Sequence, residues 1–322
     1  MNNLLTYKTK QFFFVLIKLS IIAGAFYFIY KKLTNNTELD FIIFIEFLSK
    51  NNVFSLKSIV LLLILTVFNW LLEIVKWQKL VSTFKKISFK NALEQSLGAL
   101  TASLLTPNRI GEYGAKAFYF SSNDRKRVVF VNLLGNMMQM LATIIFGTIG
   151  LLVFISKYNI IIDFYRLSRI LLIVILAFTI IGLSIKKSRF TIKGYSTKNL
   201  KDLITNFSKK SLAQIFLLSI LRYVIFSFQF YFLLHIFKAE INYQNAMMCI
   251  TSMYFLSSIV PSIFIFDVVI KGSIAIYLFG FIQINELTIL SITTIMWLLN
   301  FVLPSLFGSY YVLNFNLPKH ED

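Results

Sequence analysis

Six stretches of this chain are apolar over the length that a lipid bilayer asks of a helix, which rules out a fold built around a water-facing surface. A hydrocarbon layer of about 30 Å takes roughly 20 mostly apolar residues at about 1.5 Å each. Phe12–Tyr30, Ser58–Val75, Val128–Ile155, Ile170–Ile185, Leu212–His235 and Leu287–Leu313 meet or approach that length. The fourth is short and extends into Tyr165–Arg169. The first does not read as a cleaved signal peptide, because Lys18 interrupts it and Tyr30-Lys31-Lys32 follows it. A mean hydropathy of +0.74 and 35 Phe in 322 residues agree that lipid is the main solvent.

Two further apolar stretches, Asn91–Phe120 and Ile241–Phe281, are each cut near the middle by a proline, Pro107 and Pro261. Ala92–Thr106 makes about 22 Å of helix, enough to pass a bilayer midplane and too little to cross. Both stretches read as re-entrant helical hairpins, a backbone tolerated at depth only where protein or a polar cavity surrounds it. The expected fold is therefore an all-α polytopic membrane protein with about six spans and two re-entrant hairpins. It forms one integral membrane domain over residues 1–322.

Composition removes several function classes. One cysteine, Cys249, cannot form an intrachain disulfide, and two histidines, His235 and His320, do not furnish a transition-metal centre. The stretches between apolar segments, such as the 26 residues 186–211, are too short for a soluble catalytic domain. No cofactor, metal site or catalytic group is expected.

The net charge is +18. With the N-terminus and the first hairpin on the cytoplasmic side, segments 1–11, 76–90, 121–127, 186–211 and 314–322 hold 19 Lys/Arg. The outer segments 31–57, 156–169 and 236–240 hold 8. This bias predicts cytoplasmic termini in a bacterial inner membrane and puts the second hairpin on the outer side. The basic loop Lys186–Lys210 has few aromatics and no nucleic-acid motif, so it reads as a surface for anionic lipid. Asp40–Phe54 reads as an amphipathic helix on the outer surface.

Pro107 and Pro261 lie 154 residues apart, and shifting the first half by that distance lays spans one, two and three on later spans. The order is span, span, hairpin, span, written twice, as 1–156 and 157–322. Three spans per unit invert the second copy in the membrane, and broken helices at matching places point to a transport site near the midplane.

Ionisable groups inside apolar segments cost several kcal/mol unless paired or hydrated. The densest set is Thr106-Pro-Asn-Arg-Ile-Gly-Glu-Tyr-Gly-Ala-Lys116. Pro107 is expected to open a helix whose free N–H groups, with the guanidinium of Arg109, suit a phosphate. Gly111 and Gly114 permit close approach of a neighbouring helix or headgroup. Glu112 and Lys116 share a helix face four residues apart, as do Asp267 and Lys271 after Pro261. Each pair either serves a substrate or coupling ion or locks its own hairpin. Arg222, deep in its span, is expected to meet Glu112, Asp267 or a headgroup. Glu73 reads as an interfacial residue paired with Lys76, and Trp70 and Trp77 as interface anchors. Asn132, Asn136, Gln139 and Asn300 read as interhelical hydrogen-bonding groups.

The run Leu105-Thr-Pro-Asn-Arg-Ile-Gly-Glu-Tyr-Gly-Ala-Lys-Ala117 resembles the membrane domain of lysylphosphatidylglycerol synthases, which also occurs alone as a flippase-like family. The resemblance covers essentially the whole chain by element order, and its specific core is Pro-x-Arg-x-Gly-Glu. It implies a module that moves an aminoacylated or otherwise modified lipid between leaflets, and it marks Pro107, Arg109, Gly111 and Glu112. Relatives with synthase activity carry a soluble C-terminal acyltransferase-like domain. This sequence ends at Asp322 without one, so lysyl transfer is not expected. Relatives also have a glycine-rich stretch with Glu after the second proline, where this chain reads Ser262-Ile-Phe-Ile-Phe-Asp267.

The leading expectation is a transporter of an anionic or modified phospholipid or a lipid-linked glycan. Its site residues are Pro107, Arg109, Gly111, Glu112, Lys116, Arg222, Pro261, Asp267 and Lys271. The alternatives are an enzyme using Glu112 or Asp267 as general base, and an accessory subunit of envelope lipid or glycan synthesis. A homo-oligomer or an envelope-synthesis partner is compatible with each.

Overall fold

Small polar caps set where several of the helices start. Ser55, Ser88, Ser208 and Asn242 each accept the N–H of the residue three further on, which satisfies a donor that would otherwise be left free at a helix end. The helices so begun are α1 (Leu56–Val81), α2 (Phe89–Ser103), α5 (Lys209–Ile236) and α6 (Tyr243–Ile259). Between them lie α3 (Gly111–Phe118) and α4 (Arg125–Tyr158), which Asn159 ends in a left-handed turn. After them come α7 (Phe264–Gly280) and α8 (Glu286–Trp297), capped by Asn285. A π-helical turn, Leu298–Val302, joins α8 to α9 (Leu303–Leu313) ahead of Pro304.

This computed structural model describes residues 46, 55–104, 106, 110–160, 207–260 and 264–315, with backbone alone for 264–268. Every described element is helical. Four helices are long and apolar enough to cross a membrane: Leu56–Val81, Arg125–Tyr158, Lys209–Ile236 and Glu286–Leu313. They coincide with four of the six expected spans. The other two, the Asp40–Phe54 helix apart from Glu46, nearly all of the basic loop, Pro107, Arg109 and Pro261 lie outside the described residues.

Each expected hairpin contains a helix, a break and a second helix. In the first, the described return helix begins at Gly111. Thr106 ties it to the end of α2: its hydroxyl accepts the Gly111 N–H at 2.9 Å and donates to Ser103 O at 2.8 Å.

Helices α1 and α5 run antiparallel. Lys79 Nζ donates to Gln214 Oε1 (2.8 Å) towards one end, and Gln229 Nε2 donates to Thr66 Oγ1 (2.9 Å) towards the other. Helix α2 lies antiparallel to α9, with Thr101 Oγ1 donating to Ser305 O (2.9 Å). Helix α6 lies antiparallel to α4, where Lys157 Nζ donates to Asn245 Oδ1 (2.6 Å). The two hairpins therefore enter the helix assembly from opposite ends and stop near the middle of the long helix each packs against.

Glycines bring these backbones together. A Cβ on Gly308 would strike Leu97 and Thr101 of α2, and one on Gly147 or Gly150 would strike Thr251 or Phe255 of α6. Leu97 and Thr251 are 154 residues apart, as are Thr101 and Phe255, and the helix caps Ser88 and Asn242. Positions 154 residues apart thus serve the same packing task. We expect Gly308→Ala and Gly150→Ala to destabilise by about 1–3 kcal/mol through overpacking, read as a lower melting temperature in detergent. Gly114→Ala, which meets open space, leaves it unchanged.

Candidate functional site

Thr66, Asn69, Trp70, Glu73, Lys76 and Trp77 recur at three- and four-residue spacing and fall on one face of α1, all buried. On α5 the half-buried Arg222 and the buried Gln229 meet this face, while the buried Ser219 and Tyr223 meet Gln139 and Phe146 of α4. Arg222 stands thirteen residues after Lys209 and fourteen before Ile236, about 20 Å of helix from either end. Its Nη1 donates to Glu73 Oε2 at 2.7 Å and its Nε to Asn69 Oδ1 at 3.1 Å. Lys76 Nζ reaches the same Glu73 oxygen at 2.7 Å. One carboxylate therefore bridges two cations from different helices.

The first hairpin supplies a second ion pair. Lys116 Nζ meets Glu112 Oε1 at 2.7 Å, with 1% and 8% of their side chains exposed. It also donates to Asn132 Oδ1 of α4 (2.8 Å) and lies 4.2 Å from the Trp77 ring centroid. A desolvated cation over tryptophan gains about 2 kcal/mol. Trp77 in turn donates to Gln95 Oε1 of α2 (2.8 Å). Asn300, in the π turn, closes the network. It accepts from Asn69 (2.8 Å), donates to Gln229 (2.9 Å), and its carbonyl takes the Trp70 indole N–H (3.1 Å). A π turn loosens the helical ladder, and here the opened stretch faces the charged groups.

Two cavities flank Arg222. A small one of about 30 Å³ is lined by Trp70, Glu73, Ser96, Glu112, Lys116 and Arg222, among others, so it separates the two ion pairs. A larger one of about 270 Å³ includes Asn69, Arg222, Tyr223, Tyr254, Lys271 and Asn300 in its wall. Asn69, Arg222, Gln139 and Asn300 all lie near the midpoints of their long helices, so the larger cavity sits at that depth.

The sequence-derived site is only partly assembled here. Glu112 and Lys116 form the pair their spacing predicted. Gly111 meets Thr106 and the backbone of Ser103, as a close-approach glycine should, whereas Gly114 is exposed and faces open space. Arg222 and Lys271 share the larger cavity. Arg222 is held by Glu73 and Asn69 rather than by Glu112. Pro107, Arg109 and Pro261 lie outside the described residues, as does the Asp267 side chain.

Two readings are corrected. Glu73 is buried and bridges α1 to α5 rather than extending to an interface. Trp70 and Trp77 are 7% and 1% exposed and bind interior groups, so they are not interface anchors. In contrast, Asn132, Asn136, Gln139 and Asn300 each bond across helices, Asn136 to Tyr113 Oη at 2.9 Å and Gln139 to Ser219 O at 3.3 Å. Thr66, Asn69, Gln229, Tyr223 and Tyr254 were missed. The polar stripe on α1 was available in the spacing, but tests for long apolar runs average it away.

Residues 15–308 match the family model for the lysylphosphatidylglycerol synthase TM region. The chain belongs to that family. No curated protein matches it. Family membership and the four long apolar helices make it a multi-pass helical membrane protein.

Removing one partner of a buried ion pair leaves the other uncompensated, at a cost of about 3–5 kcal/mol. Lys116→Met and Glu112→Gln should each destabilise by about that much in detergent unfolding. The double variant loses far less than the sum, because a neutral pair of similar volume leaves neither charge uncompensated. Additive losses would show that the pair is not coupled.

Proposed function

We propose that this protein moves an anionic or modified phospholipid, or a lipid-linked glycan, between the leaflets of a bacterial inner membrane. The observation that carries the reading is the buried charge network beside Arg222, where among the described residues two carboxylates, Glu73 and Glu112, lie with three cations, Lys76, Lys116 and Arg222. Charges buried inside apolar segments are a functional feature by default, and cationic surroundings suit an anionic headgroup. Membership of a family defined by the membrane region of a lipid-modifying synthase is consistent with a lipid substrate.

In this reading the chain has six spans and two re-entrant hairpins, arranged as inverted repeats 1–156 and 157–322 with both termini cytoplasmic. Support comes from the 154-residue match in helix caps and glycine contacts, from hairpins entering at opposite ends, and from the Lys/Arg bias. Arg109 and the Gly111 end of α3 receive the phosphate, while Glu112 and Asp267 balance charge or carry a coupling proton. Rocking of one repeat against the other exposes the site to each side in turn.

In proteoliposomes carrying fluorescent phosphatidylglycerol, Arg109→Ala and Asp267→Asn should each abolish leaflet exchange while the protein stays monodisperse. Glu112→Gln alone strands Lys116, so Glu112→Gln/Lys116→Met carries the test for that pair. Exchange at the wild-type rate in all of them would sink the site assignment.

A further inference from the structure

We propose that the π turn Leu298–Val302 is a hinge on which α9 swings, together with α2, relative to α8, and that Asn300 is a latch that couples the swing to Arg222. The inference deepens the transport reading by naming where its rocking bends, and it rests on that reading.

The first reason is a break in the helical ladder at the middle of the rod Glu286–Leu313. In the π turn the Leu303 N–H reaches back five residues to Leu298 O, a looser geometry than the α-helical bond. Pro304 then has no N–H to give the Asn300 carbonyl four residues before it. That carbonyl takes the Trp70 indole N–H at 3.1 Å, and the Val302 carbonyl takes the Ser305 hydroxyl at 2.7 Å. Side chains patch the ladder here, and one of them belongs to another helix. Helix α4, 154 residues earlier, runs unbroken over 34 residues through the corresponding positions 144–148. Crossing a membrane therefore does not require the break.

Packing is the second reason, because the two sides of the break belong to different units. Ile289, Ile292, Ile295 and Met296 of α8 are buried in the apolar core built with α5, α6 and α7. Helix α9 lies on α2 instead, with Gly308 against Leu97 and Thr101 bonded to Ser305 O. Its Tyr311 packs on a separate cluster of Trp70, Leu97 and Leu100. A swing of α9 thus acts on α2 and leaves the α5–α8 core intact.

Asn300 supplies the third. Its side chain accepts from Asn69 of α1 at 2.8 Å and donates to Gln229 of α5 at 2.9 Å. Bending at the turn separates Asn300 from at least one of them. Asn69 is also the acceptor of the Arg222 Nε–H at 3.1 Å. Loss of the Asn300 bond frees the Asn69 amide to turn, and Arg222 is then held by Glu73 alone of these two. The position of α2 is in this way felt at Arg222.

The test measures the distance between spin labels on Tyr310→Cys of α9 and Tyr277→Cys of α7, in the full chain in lipid nanodiscs, by pulsed electron paramagnetic resonance. Both positions are exposed and Cys249 is buried, so the labels attach to the introduced thiols. A change of about 20° at such a break, acting over the roughly 15 Å of helix from Asn300 to Tyr310, moves that label by about 5 Å. The otherwise wild-type chain should show two distances separated by about that much. Deleting Leu299 together with Pro304→Ala restores an unbroken ladder, and should leave one distance and slow leaflet exchange at least tenfold. Asn300→Ala keeps the hinge and removes the latch, and should change the ratio of the two distances at least threefold.

A single distance shared by the wild type and Asn300→Ala overturns the hinge, and this comparison stands even where the stiffened rod does not fold. Exchange by a folded stiffened rod at the wild-type rate refutes this inference and leaves the transport reading intact. Two distances that collapse to one on stiffening, with no exchange by the wild type, retain the hinge and refute transport.

Discussion

The described structure depends on how the Glu73 carboxylate is neutralised. An isolated ionised group away from water carries a penalty of several kcal/mol, and Glu73 avoids it by holding Lys76 of its own helix and Arg222 of another through one oxygen. Arg222 in turn engages Asn69, Asn69 engages Asn300, and Asn300 engages Gln229. These bonds link α1, α5 and the π turn. A single ion triad thus sets how two antiparallel helices and the last rod meet.

Around that centre, each interrupted stretch leans on a long helix. Helix α2 lies on α9 through Gly308, and α6 lies on α4 through Gly147 and Gly150. In lipid, where apolar burial gives helices little reason to associate, close backbone approach and interhelical hydrogen bonds supply it. The hairpins thereby place Glu112 and Lys116 on one side of Arg222, and Tyr254, Ser257 and Lys271 on the other. Arg222 borders both cavities, so any headgroup passing from one to the other would meet it.

The sequence disclosed much of this arrangement. Long apolar runs marked the four described spans because lipid leaves a spanning backbone few options. Prolines marked the breaks, and i,i+4 spacing marked the Glu112–Lys116 pair because helix geometry puts such residues side by side. Glu73, Trp70 and Trp77 misled for one reason. Distance along a helix from its apolar centre does not show whether a polar side chain meets water or another helix, and here Arg222, Gln95 and Asn300 were waiting as partners. Tyr254 gave no local signal at all, since a tyrosine among apolar residues is unremarkable until it is seen in a cavity wall.

The sequence by itself therefore determined that this is a multi-pass helical chain with two interrupted stretches, and which residues must carry charge into them. Those properties follow from local rules: helix rise, proline's missing N–H and the cost of charge in lipid. Only the tertiary structure decided which charge neutralises which, that Arg222 belongs to Glu73, and that two cavities of different size lie on either side of it. Pairing across 149 residues between α1 and α5 is set by how whole helices pack, and no local spacing records it.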